Sequence, residues 1–517
     1  MNTFFTHYWS LFIDFIDDFQ EIKYKGIPLS LCPAFNTYID DKINAHMKME
    51  SFGETLRNKI QEENQIQPHF DRFLTTIIAH NSNLKKEGKI LIHDGDWLRF
   101  PREYLSTFDK SKTEFLFSVK MKNSRSYRTY IQNLEELGTV HILDYYREDV
   151  TGVTNELIKN TQSVFSRYHD HPVYANKNFQ NKFIEDIPLM VDLLTAYDNF
   201  FNKVDISCVI VGNTKGMFSR ILSLMAMSKG ILSICTQHGI IGNELGYMPA
   251  FASKYAVFGP YEQRWYQQQG VSSNSIEITG HPRFDSIFTR KHMSKTEFCK
   301  NLQISPEKYI VFIATNLTSR ITSWAIFFHQ LVKNPQLTII IKPHPSEAKK
   351  LGINHYEAIS STISSKYPSV HLVPPSMDLY HIIANADIVV QELSTVGLEA
   401  LLFDKPLFCL RKEDYYDIND RYYYENLAKF THNDPVKLAK LIIFYLENND
   451  IKKEYTTIKE DFLADSYPQK LSGPKFHELL LRVTGINTDA KDKDTVMETV
   501  NETVDEIVDE TVNKTVD

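Results

Sequence analysis

Two stretches of this chain end an apolar, β-branched run on side chains and amides that suit an anion. Ile339-Ile340-Ile341 stops at Lys342-Pro343-His344-Pro345, and further on Ile388–Val390 leads through Glu392 and Leu393 to Ser394-Thr395, which opens a helix over Val396–Leu402. Parallel sheets bind ligands beyond the carboxyl ends of their strands. A cation, an imidazole, two hydroxyls and free helix N-terminal amides gathered at such an edge suit phosphate, so a nucleoside mono- or diphosphate is the expected ligand. The prolines flanking His344 hold its backbone and keep the ring aimed, as electrostatic contact to a leaving phosphate requires; the plain alternative is a stiff strand exit. Ser394-Thr395 serves equally as an ordinary helix cap. Glu399, in the turns that follow, is a candidate for ribose hydroxyls.

Three further groups carry chemistry. Gln237-His238-Gly239 directly follows the strand-like Ile231–Cys235. There an imidazole beside glycine could take a proton from an acceptor hydroxyl or bind phosphate, or simply brace a tight turn. Gly280-His281-Pro282-Arg283-Phe284-Asp285 puts His281 and Arg283 at a domain junction, lining a cleft or forming a hinge with an Arg-Asp pair. Asp94-Gly95-Asp96, after Lys89–His93, is a base, a metal-binding carboxylate pair or mere turn chemistry.

These residues need strands to deliver them. Short apolar runs at Lys89–His93, Val140–Leu143, Cys208–Gly212, Ile231–Cys235, Tyr255–Gly259 and Ile276–Gly280 alternate with helical stretches, Met217–Ser228 among them. The pattern resumes at Tyr309–Ala314, Leu337–Ile341, Val370–Val373, Ile388–Val390 and Pro406–Leu410. Strand, helix and strand within about thirty residues is a right-handed crossover. The economical α/β architecture is two serial sheets split near residue 280, with the active site in their cleft. The domains expected are a helical N-terminal region (1–85), a first α/β domain (86–280), a second (281–485) and an acidic tail (486–517).

With 42% hydrophobic residues, 517 residues are ample for such cores. Ten acids and three lysines fall in residues 489–517, so the tail holds nearly all of the formal charge of −8. The body is about neutral, with no nucleic-acid signature. The tail repeats Thr-Val every four residues, a period that cannot hold one face of a straight helix, and disorder is expected. The five cysteines lack paired or metal-ligand spacing and read as reduced core residues. No leader or membrane-spanning run is seen, so a cytoplasmic location is expected. Phe5, Trp9, Phe12, Ile16 and Phe19 form a helical stripe that could meet a membrane. Asp14, Asp17, Asp18 and Glu21 would be repelled by anionic lipid, which favours packing against the protein.

Taken together, Gln237-His238-Gly239, Gly280–Asp285, Lys342–Pro345 and Ser394–Leu402 resemble, in order, the motifs of GT-B glycosyltransferases of bacterial surface-polysaccharide synthesis. The likeness is to capsule polysaccharide transferases and, more loosely, to CDP-glycerol glycerophosphotransferases, and it covers about residues 205–415. The resemblance implies two Rossmann-like domains facing a cleft, with acceptor on the first and donor nucleotide mainly on the second. Carried over by motif, His344 and the Ser394-Thr395 pair would contact donor phosphate and His238 would be the acceptor-side base; Lys342, Glu399 and Arg283, read from their own positions, complete the expected donor-binding set, and His344 also counts among the catalytic candidates. The His-Pro and Ser-Thr elements also resemble those of CMP-sugar sialyltransferases, in which an acid beside glycine is the base; Asp94 could fill that part. The implied partners are a nucleotide-activated (CMP, CDP or UDP) sugar and a glycan or lipid-linked glycan acceptor at the inner membrane face, with no obligatory cofactor or metal. Gln237 stands where glycerophosphotransferases usually carry an aromatic residue. Polyol-phosphate transfer, a non-hydrolysing UDP-sugar 2-epimerase and a non-catalytic assembly protein are the competing readings.

Overall fold

The computed structural model describes residues 1–78, 87–118, 125–315, 321–344, 365–374, 376–411 and 423–488. The Thr-Val tail from Asp489 and Pro345 lie outside the described residues.

A short antiparallel hairpin, β1 (Lys23–Tyr24) and β2 (Ile27–Pro28), precedes two parallel sheets. The first contains β3 (Lys89–His93), β4 (Thr113–Phe117), β5 (Thr139–Ile142), β6 (Ile206–Val211), β7 (Leu232–Thr236), β8 (Lys254–Val257) and β9 (Ile276–Ile278), in the order β5-β4-β3-β6-β7-β8-β9. The second contains β10 (Tyr309–Ala314), β11 (Leu337–Lys342), β12 (Val370–Leu372), β13 (Ile388–Gln391), β14 (Leu407–Leu410) and β15 (Thr431–His432), in the order β12-β11-β10-β13-β14-β15. Each order reverses direction once, between β3 and β6 and between β10 and β13, and ligand crevices open at such reversals. These are the two Rossmann-like domains of a GT-B fold.

Strand residues alternate between two cores, because successive side chains leave opposite faces of a sheet. Leu91, Val209 and Val211 join a cluster with the N-terminal helix Thr3–Phe19 and the long helix Lys177–Lys203. Ile90, Ile92, Cys208 and Ile210 face the other way, onto Phe476, Leu479 and Leu480 of helix Gly473–Thr484. The second sheet has a core of its own.

These faces correct two expected boundaries. Residues 1–78 are not a separate helical region. Phe5, Trp9, Phe12, Ile16 and Phe19 are buried within the first domain, and Asp14 accepts from the Arg57 and Asn58 amides, so burial of the whole stripe makes this helix one wall of that domain. The second domain does not run to residue 485 either, because helix Gly473–Thr484 returns to the first sheet.

The chain therefore crosses between domains twice, and the crossings are tied together. The Asp285 carboxylate accepts from the Ser472 and Gly473 amides at 2.8 and 2.7 Å, and Tyr467 Oη accepts from the His281 amide at 3.0 Å. Gly280 lies between them at φ +72°, where a Cβ would come within 2.7 Å of Tyr467 Oη; glycine fits both the left-handed backbone and the crowding. No helix among the described residues is long and apolar enough to cross a membrane.

Candidate functional site

Past the end of β7, side chains rather than a ladder hold the backbone. Gln237 Nε2 donates to the Gly239 carbonyl (2.8 Å) and to Glu262 Oε1 (3.3 Å), while its Oε1 accepts from the Phe258 amide (2.9 Å). Tyr247 Oη donates to the Gly239 and Ile240 carbonyls, and its ring stacks on His238 with centroids 4.8 Å apart. Trp97 meets the same imidazole at 5.0 Å. The ring of His238 has no hydrogen-bond partner among the described residues. Burial, reinforced by Arg99, Arg283 and Lys215, pushes its pKa down to about 3. The imidazole is therefore neutral at physiological pH, the form that accepts a proton.

The exits of β3 and β6 supply the neighbours. Asp96, Trp97 and Arg99 have φ of 44, 67 and 55°, a left-handed geometry that costs about 1–3 kcal/mol at each non-glycine residue. Packing sustains the strain. A Cβ on Gly212 would collide with the Leu98 amide and come within 2.6 Å of the Asp96 carbonyl, so only glycine lets this turn lean on β6. Asp96 Oδ2 accepts from the Ser219 amide at 3.0 Å in the first turn of helix Met217–Ser228, and Asn213 Oδ1 accepts from the Lys215 and Gly216 amides. The anion seat at this sheet's reversal is thus filled by the protein's own carboxylate.

From the second domain, β13 delivers Ser394 and Thr395. Ser394 Oγ caps Val396 (3.3 Å) and its carbonyl accepts from Tyr424 Oη. Thr395 Oγ1 reaches across the cleft and accepts from the Ile240 amide at 3.3 Å, and a Cβ on Gly239 would lie 3.0 Å from that hydroxyl. The hydroxyl pair and the His238 loop, 155 residues apart in the chain, are therefore neighbours.

Arg283 does not form the anticipated Arg-Asp pair; Asp285 is spent on the Ser472 and Gly473 amides. Instead Arg283 Nη2 lies 3.4 Å from Glu399 Oε1, with side chains only 10% and 8% exposed, and its guanidinium covers the Phe284 ring at 4.4 Å. Arg283 Nε and Nη2 are buried with no hydrogen-bond partner. Burial raises the Glu399 pKa, and Arg283 and Arg99 counter it; Tyr380 Oη is 3.4 Å from the same carboxylate. His281 is buried at the hinge, accepting from the Arg283 amide on Nδ1 and donating from Nε2 to the Leu98 carbonyl.

His238, Thr395, Arg283 and Glu399 are thus brought together, with Ser394 capping the same helix. Lys342 and His344 are offset. Lys342 is half-buried, with Nζ 3.4 Å from the Pro374 carbonyl, and His344 is exposed. Their strand, β11, is separated from β13 by β10, about 10 Å across the sheet. Asp94 stands apart. Its amide donates to Leu116 of β4, burial raises its carboxyl pKa, and its side-chain partner is Tyr130; it leaves β3 on the side of β4, and β6 separates β3 from β7.

Trp97, Arg99, Lys215, Tyr247 and Tyr380 are site residues that sequence reading missed. A loop that follows the Cys208–Gly212 strand and opens a helix, Asn213-Thr214-Lys215-Gly216, was the available signal for Lys215. Glu262 was also missed. It is buried, accepts from Gln237, Tyr423 and the Gly259 amide, and desolvation pushes its pKa up to about 8. The unfolded chain releases this proton near pH 4.5 whereas the fold keeps it to about pH 8, so this group makes stability fall as pH rises between those values, by about 1.4 kcal/mol per unit. Glu262→Gln is expected to remove that slope: in urea melts its stability relative to the parent should climb from about pH 5 to about pH 8, and a constant difference would refute it.

Residues 259–473 match the family model of CDP-glycerol:poly(glycerophosphate) glycerophosphotransferase. The match runs from the approach to the hinge, through the second domain, to the point where the chain has crossed back, and relates this part of the chain to that family. No curated protein matches the chain in sequence. Among solved structures, the UDP-GlcNAc 2-epimerase of Neisseria meningitidis bound to UDP-GlcNAc is 14% identical over 76% of this chain and 100% of its own, with a TM-score of 0.49. Anabaena Alr3699/HepE in complex with UDP and glucose is 13% identical over 77% of this chain and 100% of its own, TM-score 0.44. The wall teichoic acid polymerase TagF is 13% identical over 82% of this chain and 95% of its own, TM-score 0.44.

Proposed function

We propose that this chain is a transferase that moves a sugar from a CMP-, CDP- or UDP-linked donor to a glycan or lipid-linked glycan of the cell surface. One observation carries the reading: the Thr395 hydroxyl, at the N-terminus of helix Thr395–Leu402, is hydrogen-bonded to the loop that holds the neutral His238. A proton acceptor of one domain then faces an anion-binding helix end of the other. In the reaction the acceptor oxygen attacks the anomeric carbon, its proton passes to His238, and the sugar–phosphate C–O bond breaks with its electron pair leaving on the nucleotide. Thr395, Ser394 and the helix amides receive that charge, Arg283 adds a cation, and Lys342 and His344 reach the more distant phosphate or nucleoside. Glu399, held by Arg283 and Tyr380, stands ready for ribose hydroxyls. These groups carry the negative charge without calling on a metal.

The family match over residues 259–473 favours a second reading, transfer of a polyol phosphate from a CDP-linked donor. There the acceptor oxygen attacks phosphorus and CMP leaves. The donor site is shared, so one titration tests both: Thr395→Val and His344→Ala should each weaken binding of the preferred nucleotide among CMP, CDP and UDP by about tenfold. Unchanged affinity for every nucleotide would reject the site. The mass added to the acceptor, a sugar residue or a polyol phosphate, separates the two reactions.

A further inference from the structure

Trp97 is 52% exposed, whereas Trp9, Trp265 and Trp324 are 0, 6 and 3% exposed. A large indole left in solvent, on a turn whose left-handed backbone has a conformational cost, calls for a function, because the fold's core gains little from it. Beside it, neither the Arg99 guanidinium nor the Lys215 ammonium has a hydrogen-bond or ion-pair partner among the described residues. Both act on His238 together with Arg283, and Glu399 is the carboxylate set against this group. Unpaired like charges in a partly dehydrated cleft are costly until an anion joins them.

The donor does not account for all of them. Arg283 lies against Glu399 of the second domain, but Arg99 and Lys215 stand on the exits of β3 and β6 of the first. The helix end that would take a nucleotide phosphate in that domain is already occupied by Asp96. An aromatic face next to three cations, Arg99, Lys215 and Arg283, that Glu399 alone offsets, and beside a proton acceptor, matches a sugar ring that carries its own negative charge.

We infer that Trp97, Arg99 and Lys215 form the acceptor subsite and that the acceptor terminus is an anionic pyranoside, a ring bearing a phosphate or a carboxylate. Trp97 stacks on the ring, Arg99 and Lys215 bind the anion, and the hydroxyl to be extended faces His238. The inference rests on the reading of His238 as the acceptor-side base.

The test uses the full chain and acrylamide quenching of tryptophan emission, since Trp97 is the accessible tryptophan. The probes are glucose 6-phosphate and methyl glucuronide (anionic rings), methyl glucoside (a neutral ring) and glycerol 3-phosphate (an anion without a ring). Both anionic rings are expected to shield Trp97 and to bind about tenfold more tightly than either control. Arg99→Gln/Lys215→Gln should reduce them to the level of methyl glucoside, and Trp97→Ala, followed by calorimetry, to that of glycerol 3-phosphate. CDP and UDP affinity should stay unchanged in both variants. Equal shielding by glycerol 3-phosphate, or no shielding of the parent chain by any probe, overturns the inference. So does loss of CDP and UDP affinity in the Arg99/Lys215 variant, which would assign the cations to the donor. Failure of the donor site itself would show separately, as unaltered nucleotide binding by Thr395→Val.

Discussion

His238→Ala lowers turnover by about 10²–10⁴ and leaves nucleotide affinity within about twofold of the parent. That range is what a positioned proton acceptor contributes, and the split follows from geometry, because the imidazole belongs to the first domain while the anion-binding groups sit mainly on the second. Burial and then the cations Arg99, Arg283 and Lys215 keep the ring neutral down to about pH 3. The free enzyme should therefore show no loss of competence from His238 protonation between about pH 5 and 7. The same shift makes a stability statement. The unfolded chain takes up a proton on this histidine below about pH 6.5 and the folded chain does not, so its contribution is complete above that pH and is lost as pH falls towards 3. His238→Ala should flatten that part of the acid-unfolding curve. Retained turnover with an identified acceptor would remove His238 as the base.

Arg283→Met is the most damaging structural change expected. Arg283 and Glu399 are a nearly dry pair, and removing one member of such a pair costs about 3–5 kcal/mol, since the other is left charged and buried. Glu399 is already raised by burial and would lose its main counter-charge, so the damage should be least in acid, where the carboxyl is protonated, and grow towards alkaline pH. Arg283→Met/Glu399→Leu should recover most of the loss. Urea melts of the parent, single and double variants at about pH 5 and about pH 8 decide it. A double variant as unstable as the single one, or a loss independent of pH, would show that Arg283 and Glu399 do not depend on each other as a buried ion pair.

Much of the scaffold was legible in the chain because its signals are local. Tyr309–Ala314, Ile339–Ile341 and Ile388–Val390 are unbroken apolar runs, as strands buried on both faces must be, and each belongs to a strand of the second sheet. β4 was overlooked because Lys110 and Lys112 charge the turn before it and Glu114 breaks its short apolar run. In the fold Glu114 is buried on that strand, receiving Lys89 and His141, so pairing across strands satisfies what the sequence alone presents as a surface charge. Helix Thr3–Phe19 was read correctly as packed, yet its place as a wall of the first domain follows from contacts with helix Lys177–Lys203, far along the chain.

Candidate residues divide in the same way. His238, Ser394 and Thr395 could be named from the strand-then-turn pattern, because a strand exit puts its next residues on the ligand-binding edge whatever the remainder of the fold does. Trp97, Arg99 and Lys215 could not, since a tryptophan in a short loop reads as core and lone cations read as solvated surface. Their meaning depends on Gly212 admitting the turn, on Asp96 filling the nearby helix end, and on the hinge at Gly280 turning one sheet edge towards the other. The amino-acid order thus determined the strands, the two-sheet plan and the residues at each carboxyl edge, for periodicity and turn chemistry act over a few residues. Which edge residues face one another, which charges go unpaired and which carboxylate meets Arg283 were decided only by the closure of the tertiary structure, because Coulomb and hydrogen-bond energies depend on distances in space that sequence separation does not encode.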